Sequence, residues 1–397
     1  MGFMKRLMVY LTAVLLVLVL GVASVKADEI ATPNVEAAGA VLIEAGSGRI
    51  LWGKNVDEQM AMASTTKIMT AILTLEKGRE DDIVTVSKRA AAAPKVKMFL
   101  DVGEEIRLDA LLYALMLQSS NDAAVAIAEH IGGTVEDFCA AMTAKAHELG
   151  AVNTVFETAS GLDTDNHHST PHDMAIIAAY ALQNPRFVEI INTPHHHATS
   201  NKKTYAISNK NRLLNEYSGA YGIKTGFTNK AGHCFVGAAQ RDEMHLISVV
   251  FASGWGTKGR EQKWVDTKRL LNYGFDNYEL TQIVSLGDEA GVLNVTRTRT
   301  PQIELFYNGE LVTAVRKDGE DIVVTPYFPY EMQAPIDANT QIGEGRIYIN
   351  GEYFTAIPIY TASSAARHDL KTSLEKVVKA FLSIGSEQEI EIILPEF

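Results

Sequence analysis

The chain has 397 residues, 47% of them hydrophobic and 21% charged. That composition argues against disordered, collagen-like and polytopic membrane classes, and the length predicts two to three domains. With 36 basic against 48 acidic residues the net charge is −12, which makes the surface a poor partner for phosphate backbones and disfavours nucleic-acid binding as the main role. Two cysteines are too few for a disulfide framework.

The N-terminus carries Lys5 and Arg6, an uncharged run over 7–23, then Val25-Lys26-Ala27 before Asp28. Charged start, apolar middle and small-residue site predict a signal peptide over 1–27; the competing reading is an uncleaved anchor. Cleavage removes Lys5, Arg6 and Lys26 and no carboxylate, taking the net charge from −12 to −15. Next, 41–44 and 49–52 flank Gly46-Ser47-Gly48 as a hairpin. Helical periods follow at 64–77, 109–131, 135–149 and 171–182, strand patterns at 221–227, 232–240 and 245–252, and a helix at about 260–272. This order predicts an α+β fold, an antiparallel sheet with a helical cluster, over 28–276. Cys139 falls in a helical pattern and Cys234 in a strand pattern, and both read as small buried hydrophobes rather than as a disulfide pair.

Over 280–361 the pattern changes to short β-rich runs punctuated by Asn308-Gly309, Asp318-Gly319 and Asn350-Gly351, each a hairpin signal. A small all-β domain is predicted. At 366–384, Leu370, Leu374, Val377, Val378, Phe381 and Leu382 share one face of a helix whose other positions include Arg367, Lys371, Lys376 and Lys379. A basic amphipathic helix suits an anionic membrane surface, or it docks on its own protein. Glu387, Glu389, Glu391 and Glu396 make the tail, 385–397, acidic.

Three Ser-x-x-Lys patterns occur: Ser64–Lys67, Ser200–Lys203 and Ser373–Lys376. Ser373 lies in the amphipathic helix and Ser200 in a polar stretch. Ser64 opens an apolar helical period, so Ser64 and Lys67 share one helix face. A serine hydroxyl needs an adjacent base to act as a nucleophile, and a neutral lysine serves. Alone, the pattern is equally a helix cap with a solvated lysine. Two further motifs decide the matter. Ser119-Ser120-Asn121 separates two apolar runs, and Lys224-Thr225-Gly226 lies on a predicted strand. Ser-x-x-Lys, Ser-x-Asn and Lys-Thr-Gly in that order are the signature of active-site-serine penicillin-recognising enzymes.

The chain resembles the low-molecular-mass penicillin-binding proteins, serine D-alanyl-D-alanine carboxypeptidases of the peptidase S11 type. The likeness extends to Gly161-Leu162-Asp163, His168-Ser169-Thr170 with Asp173-Met174-Ala175, and the stretch 268–275. It implies a β-lactamase/transpeptidase-like domain, a trailing β-domain, and a terminal helix at the outer face of the cytoplasmic membrane. It implies Ser64 as acylated nucleophile, Lys67 as base and Ser119 as proton relay. Asn121 would bond the substrate amide, and Lys224 would set the electrostatics. Thr225 would hydrogen-bond the terminal carboxylate, Gly226 would let substrate backbone lie close, and the backbone N–H groups of Ser64 and Phe227 would form the oxyanion hole. Ser120 stands where relatives often have Gly or Asp, and Phe227 where many have His. The carboxylate-binding cation is Lys263, with Arg260 as competitor. No metal and no cofactor is implied.

The expected reaction is hydrolysis of the terminal D-Ala–D-Ala bond of peptidoglycan stem peptides, with β-lactams trapping Ser64. A DD-endopeptidase is a variant. A class A-like β-lactamase is the runner-up, although no Glu-x-x-Leu-Asn lies between Ser119 and Lys224. A non-catalytic wall-binding module is a third reading. His195-His196-His197 is expected in a solvated loop, and His167 and His168 in the architecture near the site.

Overall fold

The computed structural model describes residues 32–309, 312–368 and 370–383. The signal peptide expected over 1–27 and the acidic tail over 385–397 lie outside these residues. Strand β1 (Gly39–Glu44) is six buried residues in a row, and the glycine-flanked turn leads into β2 (Ile50–Lys54), antiparallel to it with Leu42 opposite Trp52. The chain then leaves for a helical excursion. A 3-10 turn (Ala63–Thr66) runs directly into α1 (Lys67–Lys77). Two short paired strands, β3 (Ile83–Thr85) and β4 (Glu105–Arg107), bracket α2 (Lys88–Ala91). Helices α3 (Leu108–Tyr113), α4 (Asn121–Gly132), α5 (Val135–Glu148), α6 (Pro171–Leu182) and α7 (Pro185–Asn192) follow. A hairpin of β5 (His195–Thr199) and β6 (Thr204–Ser208), then the one-turn α8 (Leu213–Glu216), leads back to the sheet. Strands β7 (Ala220–Thr228), β8 (Gly232–Arg241) and β9 (Met244–Phe251) complete it, and α9 (Gly256–Asn277) packs on it.

The five strands run in the order β2-β1-β9-β8-β7, antiparallel throughout. Both faces are covered, which explains strands that read as continuous apolar runs. Alternate residues of β1 go to opposite sides. Val41 and Ile43 join Ile247, Val249 and the helical cluster, whereas Ala40 and Leu42 meet Trp264, Leu270 and Leu271 of α9. Each such side chain contributes about 2 kcal/mol on full burial. Helix starts follow their caps: Thr134 and Thr170 accept the N–H groups of Asp137 and Asp173, and Pro171 occupies the first turn of α6.

Beyond α9 the chain is all β: β10 (Tyr278–Val284), β11 (Glu289–Thr296), β12 (Gln302–Tyr307), β13 (Val312–Lys317), β14 (Ile322–Tyr327), β15 (Glu331–Gln333), β16 (Gln341–Ile349) and β17 (Glu352–Thr361). Here the hairpin expectation holds at one turn of three. Asn350-Gly351, both at positive φ, joins the antiparallel pair β16–β17. Asn308-Gly309 and Asp318-Gly319 instead carry the chain between two sheets, because β13 pairs with β10 while β12 pairs with β11 and β17, and β14 with β16. Turn residues set φ locally; they do not choose the partner strand.

Two other expectations are corrected. The helical period over 109–131 is broken by a π-helical turn (Ala114–Gln118) and by Ser119 at φ +68°. The three consecutive histidines lie on β5, not in a solvated loop, and His196 stacks on Tyr113 with ring centroids 3.7 Å apart. The terminal helix α10 is Leu370–Ser383, and its apolar face is uncovered, from Leu370 at 87% exposed to Phe381 at 78%. Both cysteines are buried and free, and burial pushes both thiols up to about 12.

Candidate active site

The three motifs converge. Lys67, at the first turn of α1, is fully buried, and its Nζ donates to Ser64 Oγ at 2.9 Å, to Asn121 Oδ1 at 2.8 Å and to the carbonyl of Ser160 at 2.5 Å. Asn121 Nδ2 donates to Pro94 O at 3.1 Å, which fixes the amide with its oxygen toward Lys67. On the other side, Lys224 of β7 donates to Ser119 Oγ and to Thr225 O, both at 3.0 Å. The break between α3 and α4 makes this possible. The left-handed turn at Ser119 presents its hydroxyl to Lys224, and Asn121 begins a new helix aimed at Lys67.

Burial pushes the Lys67 amine well below its ordinary value, the Lys224 cation lowers it further, and Asp122 opposes both. Burial, then Lys263, brings Lys224 down to about 7. A neutral Lys67 has two N–H donors and one lone pair. Asn121 Oδ1 and Ser160 O can only accept, so they take the two N–H groups. The lone pair is left for Ser64, whose hydroxyl is the partner able to donate. Deprotonation of Lys67 therefore aims its base at the serine without any rearrangement.

The carbonyl of Ser160 was not legible in the sequence, since a backbone acceptor has no side-chain signature. The loop carrying it is held tightly. Thr70 Oγ1 donates to Ala159 O at 2.7 Å, and Thr158 Oγ1 accepts from Gly161 N at 3.1 Å. Gly161 sits at φ +82°, where a Cβ would stand 1.9 Å from Ala63 O. His167 is buried and neutral, its pKa lowered to about 4 by burial. Its Nδ1 accepts from Glu157 N at 3.0 Å, which leaves Nε2–H for Thr66 Oγ1 at 2.8 Å. Thr228 Oγ1 donates to Asp163 at 2.9 Å and Lys230 Nζ to Thr164 O at 3.0 Å, tying this loop to the end of β7.

Strand β7 is a sheet edge beside the serine turn. A Cβ on Gly226 would lie 3.0 Å from Ser64 N and 3.1 Å from Ala63 Cβ. The protein's own packing against Ser64 is therefore tight at Gly226, a second reason for glycine beside the expected approach of substrate backbone. Thr225 is half-buried, and Phe227 is 46% exposed with its ring 4.3 Å from that of His233. Lys263 of α9 is buried and its amine lies over Trp264 at 4.7 Å; burial, then Arg260, lowers it to about 8. Among the described residues it has no hydrogen-bond acceptor and no carboxylate partner, and Arg260 is exposed. The other two Ser-x-x-Lys patterns are structural: Ser200 Oγ closes a turn with Lys203 O at 3.2 Å, and Ser373 faces His368 at 3.3 Å. A cavity of about 1020 Å³ lined by the β1–β2 turn, the end of α6 and strands of the all-β region contains none of the three motifs, so chemistry rather than volume locates the site.

A buried lysine bonded to a serine on one turn, with a second lysine and serine facing it, defines the class of active-site-serine penicillin-recognising proteins. Residues 26–254 match the family described as D-alanyl-D-alanine carboxypeptidase, peptidase S11. The chain is 32% identical over 345 residues to D-alanyl-D-alanine carboxypeptidase DacF of Bacillus subtilis, covering 85% of this chain and 86% of the relative. It is 30% identical to DacA of Escherichia coli, covering 82% and 83%. Its fold superposes on penicillin-binding protein 5 from Haemophilus influenzae with a TM-score of 0.72 at 29% identity, covering 85% of this chain and all of that one. The chain belongs to the peptidase S11 family.

Proposed function

We propose that this protein is a serine D-alanyl-D-alanine carboxypeptidase that removes the terminal D-alanine from peptidoglycan stem peptides and is acylated by β-lactams. The observation that carries the reading is the three-way bonding of buried Lys67 to Ser64, Asn121 and Ser160. In this reading Lys67 takes the Ser64 proton as Oγ attacks the penultimate carbonyl. The oxyanion is met by the N–H groups of Ser64 and Phe227, a role supported by the packing of the neighbouring Gly226 on the serine turn. Ser119, bonded to Lys224, relays a proton to the departing amine of D-alanine. The C–N bond breaks as the Ser64 ester forms, and water then hydrolyses the ester. Asn121 bonds the substrate amide, Thr225 the terminal carboxylate, and Lys263, an amine without a protein acceptor, supplies the cation for it.

The β-lactamase alternative is disfavoured by what faces the nucleophile. From the 157–164 loop it is a backbone carbonyl, and the Glu157 carboxylate is instead bonded to Thr164 Oγ1 at 2.6 Å. The division into domains at 28–276 and 280–361 is supported near 276–280, where α9 ends at Asn277 and the all-β strands begin at Tyr278. An extracytoplasmic location, with α10 holding the enzyme to an anionic membrane surface, is supported by the uncovered apolar face of that helix. Among the described residues no helix is long and apolar enough to cross a membrane.

The test is Ser64→Ala. It should abolish both release of D-alanine from a diacetyl-Lys-D-Ala-D-Ala peptide and covalent labelling by a fluorescent penicillin. Labelling that survives the substitution sinks the assignment.

A further inference from the structure

Asp122 follows the Ser-x-Asn motif and takes no part in the mechanism above. It is fully buried at the N-terminal turn of α4. Its Oδ1 accepts from Met98 N and Ala123 N, both at 3.0 Å, and its Oδ2 from Leu100 N at 3.1 Å. Among the described residues no side chain pairs with it, and its hydrogen bonds all come from N–H donors, which suit a carboxylate. The segment it grips is the wall of the cleft. Pro94 O accepts from the Asn121 side chain and Val96 O from Asn121 N at 2.7 Å. That wall has its own strain, with Phe99 at φ +66°, and the N–H groups on either side of Phe99, those of Met98 and Leu100, are both bonded to one buried carboxylate, which holds it there.

We infer that Asp122 is a positioning residue for the Ser64–Lys67 pair, one carboxylate doing two things. It clamps the 94–100 wall so that Asn121 keeps its oxygen on Lys67. It also sets a negative charge against the effect of the Lys224 cation on that base. The groups facing Lys67 are Ser64 on its own turn, Lys224 of β7 with Lys263 of α9 behind it, His167 and the Ser160 carbonyl from the 157–168 loop, and Asn121 and Asp122 of α4. Asp122 is the group among these that favours the protonated amine. It keeps Lys67 a stronger base than burial and the Lys224 cation would leave it, and proton abstraction gains driving force from a stronger base.

This inference rests on Lys67 being the base for Ser64. The test is the rate of acylation by a fluorescent penicillin, measured against pH on the full chain. Asp122→Asn keeps the side-chain shape and removes the charge. Lys67 then loses its proton more easily, so the acid limb of the profile should move to lower pH by about one unit. The plateau should fall roughly tenfold as the base weakens and the wall loosens. Asp122→Ser removes the same charge with less bulk and must shift the limb the same way, which keeps the test open if the first variant does not accumulate. Asp122→Glu keeps the charge but misplaces the wall, so its plateau should fall with the limb unmoved. A purely structural Asp122 would lower the rate equally at every pH in all three variants, and that result overturns the inference. Its failure is distinguishable from failure of the functional reading, because Ser64→Ala would still abolish labelling.

Discussion

The block up to α9 and the all-β region after it are built from the same hydrophobic alternation but differ in what they bury. The first hides Lys67, Lys224, Lys263, Asp122, Asp173, Asp266 and Glu104. Among the described residues of the second, Thr361 is the one polar side chain so deeply buried, and its hydroxyl donates to Asp337 O at 2.7 Å. Buried charge is costly unless paired and hydrogen-bonded. Several of these groups have the pairing: Asp266 accepts from Glu36 N, Ala37 N and Gln262, and Asp173 from Asn153 N and Thr154. The lysines meet no carboxylate at ion-pair distance among the described residues. Their amines answer to carbonyls, hydroxyls and a ring, and burial lowers all three pKa values. An arrangement that costs stability and perturbs three amines near one another is what a catalytic site asks for, and it is here that we place the chemistry. The β region, with an ordinary apolar core, carries no such mark.

The sharpest way to break that contrast is to remove the base. Lys67→Ala should cut acylation by penicillin roughly a thousandfold while the protein still folds, measured by stopped reaction with a fluorescent penicillin and by thermal unfolding. A variant that acylates at a rate near the original would mean that the buried amines are a structural curiosity and not the site. Next comes the loop that brings the Ser160 carbonyl to Lys67. Gly161→Ala puts a methyl 1.9 Å from Ala63 O at a positive φ. It should destabilise the protein by roughly 3 kcal/mol or more in urea unfolding and slow acylation at least tenfold. An equal substitution at Gly319, where a Cβ meets open space, should leave acylation unchanged even though its φ is also positive.

The same contrast explains how much was legible. The Ser64–Lys67 pair and its helix were readable because a side-chain pair at i and i+3 has a fixed geometry. The motif at Ser119–Asn121 was readable as a boundary between two apolar runs, but not as a π-helical turn ending in a left-handed serine, since periodicity averages over so short an interruption. Asp122 was visible only as the start of the next helix, because its partners Met98 and Leu100 lie more than twenty residues upstream and act through their N–H groups. The Ser160 carbonyl and the role of Gly161 depend on a close approach of two distant segments, which one sequence does not record. In the β region the turns were legible and the pairings largely were not. Asn308-Gly309 and Asp318-Gly319 have the same turn chemistry as Asn350-Gly351, and what separates them is which sheet the next strand joins.

The last prediction concerns α10, where the contrast is between chemistry and placement. Leu370, Leu374, Val377, Val378, Phe381 and Leu382 are all exposed on one face, a face that water does not favour. Lys371, Lys376 and Lys379 give the same helix a positive side. Burying such a face in an anionic headgroup layer gains from apolar area and from charge together. Leu374→Glu combined with Phe381→Glu removes apolar area and adds two negative charges without touching the cleft. Binding to vesicles of anionic phospholipid, measured by co-sedimentation, should fall at least tenfold. Turnover of a short soluble D-Ala-D-Ala peptide should stay within about twofold. Undiminished sedimentation would move the attachment elsewhere on the molecule. A lost turnover would mean that α10 reaches the site, and the separation drawn here between where the enzyme works and how it works would have to be given up.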